Sequence, residues 1–195
     1  MEQLLVELAS LFSLTLDRFE YMVVLVAMSM GLAWGSGINL YATLFAIGVI
    51  SLFGHSGELP NGLKILENPI VMIAAAAMYV IEFYIDRTTN EDTGWDSIHT
   101  FIYIPAGGIL AATVVAGSGI VAILGISVSG VGISYLSHKS PLGRNQHADC
   151  SDEVFSTWAS SIVKDITLLA GIWTAFHFPL LFIFLLILFL IIFCF

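Results

Sequence analysis

The chain has 195 residues, 58% of them hydrophobic and only 11% charged, with 15 acidic against 6 basic side chains and a formal net charge of −9. Soluble globular domains carry roughly 25% charged residues, so a water-soluble fold does not fit, and so few Lys and Arg argue against nucleic-acid binding. The apolar runs are continuous rather than alternating, which excludes a β-barrel, and several are long enough to cross a bilayer at about 20 residues each. The fold class expected is all-α: a polytopic transmembrane helical bundle forming a single membrane domain over 1–195, with about six or seven helices.

Residues 1–17 place Leu4, Leu5, Leu8, Leu11, Phe12 and Thr15 at i, i+3 and i+4 spacing, with Gln3, Glu7, Ser10 and Asp17 elsewhere. That pattern predicts an amphipathic helix lying in the membrane interface or, equally, packed on other helices. With Glu2 and Glu7 where a signal peptide carries Lys or Arg, a cleaved signal is not expected. Phe19 to Phe53 is almost wholly apolar, and a straight helix of that length would run to roughly 50 Å. Gly31, Gly35, Ser36 and Gly37, followed by Asn39, mark the expected break, because an interior glycine costs a helix up to about 1 kcal/mol relative to alanine. The segments expected are 20–34 and 37–53.

Residues 54–68 read as a polar loop, and Pro69 suits the first turn of a helix over 69–86 that crosses the membrane, with Ala74–Ala77 available for close packing. After a charged turn at 87–93, Thr93-Gly94-Trp95-Asp96 fits a capping box. The segment 94–104 is too short to cross, and Pro105, Gly107 and Gly108 are expected to break the helix that carries it. The next apolar run reaches 137, with a joint at Gly117-Ser118-Gly119, and a loop over 138–152 holds His138, Lys139, Arg144 and His147. Its cations lean the positive-inside rule towards a cytoplasmic loop. Ser151 is placed to cap a helix over 152–176, and a turn at His177-Phe178-Pro179 leads to a terminal helix, 178–195. That last helix is apolar all round, so it faces lipid or a partner chain. Gly-Ser-Gly-Ile occurs at Gly35–Ile38 and again at Gly117–Ile120. The layout suggests two broken or re-entrant segments in two halves, 20–86 and 105–176, joined by 87–104, an arrangement compatible with an inverted repeat.

An ionisable side chain at the bilayer centre costs at least about 2.5–3.5 kcal/mol, so one found there usually faces a polar interior and a partner. Glu82 follows more than three turns of apolar residues, and Asp86 lies one turn on, on the same face. Two such carboxylates suit proton exchange or shared binding of a cation; the alternative puts both at the membrane surface, with Glu82 paired to Arg87 or a backbone amide. Asp96 and His99 also share a face, and a carboxylate can hold an imidazole in one tautomer, although Asp96 already serves as the cap. His99, beside the expected break, could meet Glu82. Snorkelling favours Lys164 reaching water, which turns Asp165 inward, and Asn39 offers a neutral donor and acceptor. Glu82, Asp86, His99 and Asp165 could together ligate a divalent ion, but their spacing fits no fixed metal motif, so a metal stays open. No catalytic or cofactor signature occurs, so neither an enzyme nor a cofactor is expected. Cys150 and Cys194 are too far apart in sequence and setting to suggest a pair.

The stretches Gly31-Leu-Ala-Trp-Gly-Ser-Gly-Ile-Asn-Leu-Tyr-Ala-Thr43, Ile81-Glu-Phe-Tyr-Ile-Asp86 and Trp95-Asp-Ser-Ile-His-Thr-Phe-Ile-Tyr-Ile-Pro-Ala-Gly107 resemble a family of small bacterial multi-pass integral membrane proteins catalogued as a domain of unknown function. The resemblance covers 31–115 well and continues weakly through Asp165. Two positions depart from its pattern: Tyr103 stands where a basic residue is common, and Lys164 where a Glu is common. The resemblance implies a bacterial inner-membrane location and brings no assigned activity with it, so function is argued from the residues.

The function expected is a small secondary transporter or permease coupled to protons or another cation. Glu82 and His99 would be the carriers, with Asp86, Asp96, Asp165 and Asn39 around them. The alternative is a non-transporting scaffold or accessory subunit. The partners expected are the lipid bilayer and, through 178–195, a second copy or another membrane protein.

Overall fold

The computed structural model describes residues 2–55, 59–88, 94–143 and 154–194, with side chains described for 13–53, 59–84, 100–143 and 161–193. Among them every regular element is a helix. These are α1 (Glu2–Ile38), α2 (Leu40–Ile50), α3 (Pro69–Thr88), α4 (Gly94–Val114), α5 (Ile120–Lys139), α6 (Val154–His177) and α7 (Pro179–Cys194). A π-helical turn, Ser51–His55, extends α2, and a 3-10 segment, Asn61–Glu67, precedes α3. Among the described residues two helices, Ser13–Ile38 and Ile120–Lys139, are long and apolar enough to cross a membrane, or there are three spans if the pair Asn61–Glu67 and Pro69–Tyr84, bent by 73°, counts as one.

α1 organises the molecule, because every residue from Ala27 to Leu40 is buried. α6 lays Leu168, Ile172 and Ala175, all fully buried, along it at i, i+4, i+7 spacing, the stripe that one face of a helix presents. α7 does the same with Phe182, Leu186 and Phe189, and the Phe182 and Phe189 rings both meet Trp34 edge-on with centroids 6.4 Å away. Much of the rest of α7, including Leu180, Phe184, Ile191 and Ile192, is exposed, while Ile183 and Leu190 are partly buried against the core. On the other side, Leu59, Leu63 and Leu66 of the segment before α3 are buried against Leu25, Leu32 and Leu110. The stretch expected as a polar loop therefore carries a folded, partly buried helix.

Three expected boundaries fall elsewhere. The interfacial helix expected over 1–17 is continuous with the first apolar segment, since α1 runs unbroken from Glu2 to Ile38. Gly35 and Gly37 do not break it; the interruption is the single residue Asn39, in extended backbone at φ −156° and ψ 107°. Likewise Pro105, Gly107 and Gly108 lie inside an uninterrupted α4. The physical reason is that these glycines serve close approach instead of unwinding. A Cβ added at Gly37 would lie 2.2 Å from the Ser134 carbonyl oxygen, one at Gly107 would lie 2.5 Å from the Ser134 Cβ, and one at Gly35 would lie 2.8 Å from Thr43 Oγ1. Residue 105, the expected start of a second half, is thus in mid-helix. The two Gly-Ser-Gly-Ile copies are also not equivalent: the first closes α1, whereas the second holds Gly119, the N-cap of α5. The joint expected at Gly117–Gly119 and the turn at Phe178 both stand where they were expected.

Candidate functional site

Polar side chains gather where the end of α1 crosses α4 and α5. α5 brings Ser134, Ser137 and His138 to one face, at the i, i+3, i+4 spacing that aligns side chains on a helix. Ser137 Oγ donates to the Trp34 carbonyl at 2.9 Å and also approaches the Ser134 carbonyl at 3.1 Å. Ser36 Oγ of α1 and Ser134 Oγ of α5 both donate to the carbonyl of Tyr103, at 3.1 and 3.0 Å. The carbonyl that Pro105 deprives of its N–H is that of Phe101, four residues back, so the two hydroxyls serve a different carbonyl, that of Tyr103.

Tyr103 is the centre of this junction. It is 2% exposed, its hydroxyl donates to Glu82 Oε1, and Glu82 is 4% exposed. The Tyr103 ring meets the Tyr41 ring at 6.1 Å and the His138 imidazole at 6.1 Å, both edge-on. His138 Nδ1 lies 3.2 Å from the Gly37 carbonyl oxygen, and its Nε2 lies 2.8 Å from Thr100 Oγ1. A carbonyl only accepts, so Nδ1 carries a proton, and in the neutral ring Nε2 accepts from the Thr100 hydroxyl. One buried carboxyl group, one phenol and one imidazole are thereby brought together by α3, α4 and α5 around the end of α1.

A second acidic centre sits on α6. Tyr79 of α3 donates through its hydroxyl to Asp165 Oδ2, and both line an apolar cavity of about 540 Å³ between α2, α3 and α6. Tyr79 and Glu82 are three residues apart on α3, so one helix carries contacts to both acidic groups.

Of the residues expected from sequence, Glu82 is buried in the first centre and Asp165 is in the second. Asn39 helps to build a helix: its Oδ1 accepts from the Ala42 N–H at 2.8 Å as the N-cap of α2, and its carbonyl accepts from Thr43 Oγ1 at 2.8 Å. Asp86 falls near the end of α3, and Asp96 and His99 near the start of α4, with side chains outside the described residues. The capping box at Thr93–Asp96 and the cap at Ser151 also fall outside them. Among the described residues no three His, Cys, Asp or Glu side chains come together as a metal site. Neither Tyr103, marked in the sequence only as a departure from the family pattern, nor His138 was expected in the site. His138, expected in a loop, lies in the last turn of α5. The signal available was the Ser134, Ser137, His138 face, which only a helix continuing past 137 reveals.

The fold and these centres define an all-helical protein with, among the described residues, two or three candidate membrane spans, one buried acid, Glu82, and one half-buried acid, Asp165. A family model described as "Domain of unknown function (DUF4126)" matches residues 26–195, and the chain belongs to that family. Neither the curated proteins nor the solved structures hold a match to it.

Proposed function

We propose that the protein is a small secondary permease of a bacterial inner membrane, coupled to protons or another cation, with Glu82 as the coupling group. The observation that carries this reading is the burial of Glu82 within an apolar helix, hydrogen-bonded to the Tyr103 hydroxyl. A carboxyl group at that depth is costly for structure alone and is the kind of group that ion and proton pathways use. Tyr103 keeps the Glu82 oxygen supplied with a donor, and His138 places a second proton-exchanging group against the same ring. His99, Asp86, Asp96, Asp165 and Asn39 remain proposed members of the set. The test is flux in proteoliposomes under an imposed proton or sodium gradient. Glu82→Gln, which keeps size and an acceptor oxygen for Tyr103, is expected to abolish gradient-driven flux while the protein still elutes as a monodisperse species. Wild-type flux in that variant would remove Glu82 from the mechanism.

A second reading, a non-transporting membrane subunit that docks through 178–195, is favoured by the exposed apolar face of α7, which includes Leu180, Phe184, Leu188 and Ile191. A stable partner captured in mild detergent and lost on deletion of 178–195, together with wild-type flux in Glu82→Gln, would favour it over transport.

A further inference from the structure

We propose that the cavity between α2, α3 and α6 binds a hydrophobic monovalent cation, an ammonium or phosphonium centre on an aromatic or alkyl body, with Asp165 as its counter-charge. The inference stands apart from the role given to Glu82, because it rests on a different cavity and a different carboxyl group. At about 540 Å³ the cavity falls within the size range of small-molecule sites, about 300–1,000 Å³. Its walls are apolar and aromatic, with Phe45 and Phe53 from α2 and its extension, Tyr79 from α3, and Leu169 and Trp173 from α6. Among the described residues lining it, Asp165 is the only charged one. Lys164, the next residue along, is not part of the lining. Phe53, Leu169 and Trp173 are exposed, so the cavity opens at the surface of the bundle. The Trp173 indole is held by stacking on His177, with centroids 3.8 Å apart and planes at 15°.

Charge complementarity selects the occupant. A single carboxyl group among aromatic faces suits a cation on two counts, since the acid supplies the opposite charge and the rings attract a cation through their quadrupoles. An anion would meet the wrong charge, and a neutral apolar molecule would leave Asp165 facing hydrocarbon. The carboxyl group also stands well away from the ends of both helices that present it. Asp165 is the twelfth of the 24 residues of α6, and Tyr79 the eleventh of the 20 of α3. At 1.5 Å per residue Asp165 is roughly 17 Å from either end of its helix.

The experiment is equilibrium dialysis of radiolabelled tetraphenylphosphonium against the purified full-length protein in detergent. The size-matched anion tetraphenylborate is run separately. Saturable binding of the cation and none of the anion is expected. Asp165→Asn is expected to weaken cation binding about tenfold or more, as loss of a close opposite charge in a low-dielectric site does. Leu169→Trp keeps the carboxyl group but fills the cavity, and is expected to abolish binding; it also guards against Asp165→Asn failing to fold, which size-exclusion elution reports. Glu82→Gln is expected to bind as the wild type does, so this site and the flux role of Glu82 can fail independently. Non-saturable binding, equal binding of the anion, or wild-type binding in both cavity variants would overturn the proposal. Competition by phosphatidylethanolamine would transfer the site to a lipid and overturn it as well.

Discussion

Tyr103 makes three commitments at once: its hydroxyl to Glu82, its carbonyl to Ser36 and Ser134, and its ring to His138 and Tyr41. Removing only the hydroxyl isolates the first of these. Tyr103→Phe removes that donor from a buried Glu82 oxygen, and losing a hydrogen bond to a charged or buried polar group costs about 1–3 kcal/mol. Glu82→Gln keeps an oxygen that can accept from the phenol. Tyr103→Phe is therefore expected to lower the unfolding temperature in detergent clearly, and Glu82→Gln only slightly; the reverse order would mean that the hydroxyl does not support the acid. The His138 ring carries a separate expectation. With Nδ1 facing the Gly37 carbonyl and Nε2 facing the Thr100 hydroxyl, the neutral ring is the tautomer protonated at Nδ1. Nitrogen-15 spectra of histidine-labelled protein are expected to show it, and Thr100→Val is expected to shift the Nε2 resonance while leaving Nδ1 protonated.

At the scale of elements, the glycines divide by what surrounds them. Gly37 faces Ser134 at a helix crossing, and a Cβ there would lie 2.2 Å from that residue's backbone oxygen. Trimming Ser137, the other neighbour, cannot relieve the clash, because backbone does not move aside. Gly132 in α5 has nothing within 4 Å of where a Cβ would go. Gly37→Ala is expected to cost about 1–3 kcal/mol, the usual range for overpacking, whereas Gly132→Ala should be neutral or gain up to about 1 kcal/mol from helix propensity. Thermal melts of the two variants in one detergent make the comparison. The same division explains what could be read from sequence. Gly117-Ser118-Gly119 and Phe178-Pro179 end helices and were legible as joints, since Pro179 opens a helix and the Gly-Ser-Gly stretch packs against little. Gly35, Gly37, Gly107 and Gly108 looked the same in composition but sit where helices touch, and only the tertiary crossing distinguishes the two uses. Glu82 was legible as an acid inside an apolar helix. Its partner Tyr103 was not, because a hydrogen bond between α3 and α4 depends on where the helices meet and leaves no periodic trace.

For the molecule as a whole, the question is where α1 enters the bilayer. Its 37 residues make a rod of roughly 55 Å at 1.5 Å per residue, well beyond a hydrocarbon thickness of about 30 Å. Two readings of its length compete. By composition the span reaches back to Ser13, yet Asp17, Arg18 and Glu20 are all exposed, and exposed charges are expensive against lipid tails. Phe19 and Tyr21, also exposed, are aromatic residues of the kind that sit at membrane interfaces. From Tyr21 to Ile38 the helix has room for roughly 27 Å, close to one hydrocarbon thickness, and its Ala27–Ile38 portion is buried by the other helices. One continuous helix should therefore show two regimes. Hydrogen exchange of the protein in nanodiscs, read by mass spectrometry, is expected to be fast over Ser13–Glu20, where the helix stands in water and frays. It should be slowest over Ala27–Ile38, where opening requires the surrounding helices to separate. Uniformly slow exchange from Ser13 onward would place the charged turn within the bilayer and make Asp17, Arg18 and Glu20 a polar cluster at depth rather than the edge of the membrane.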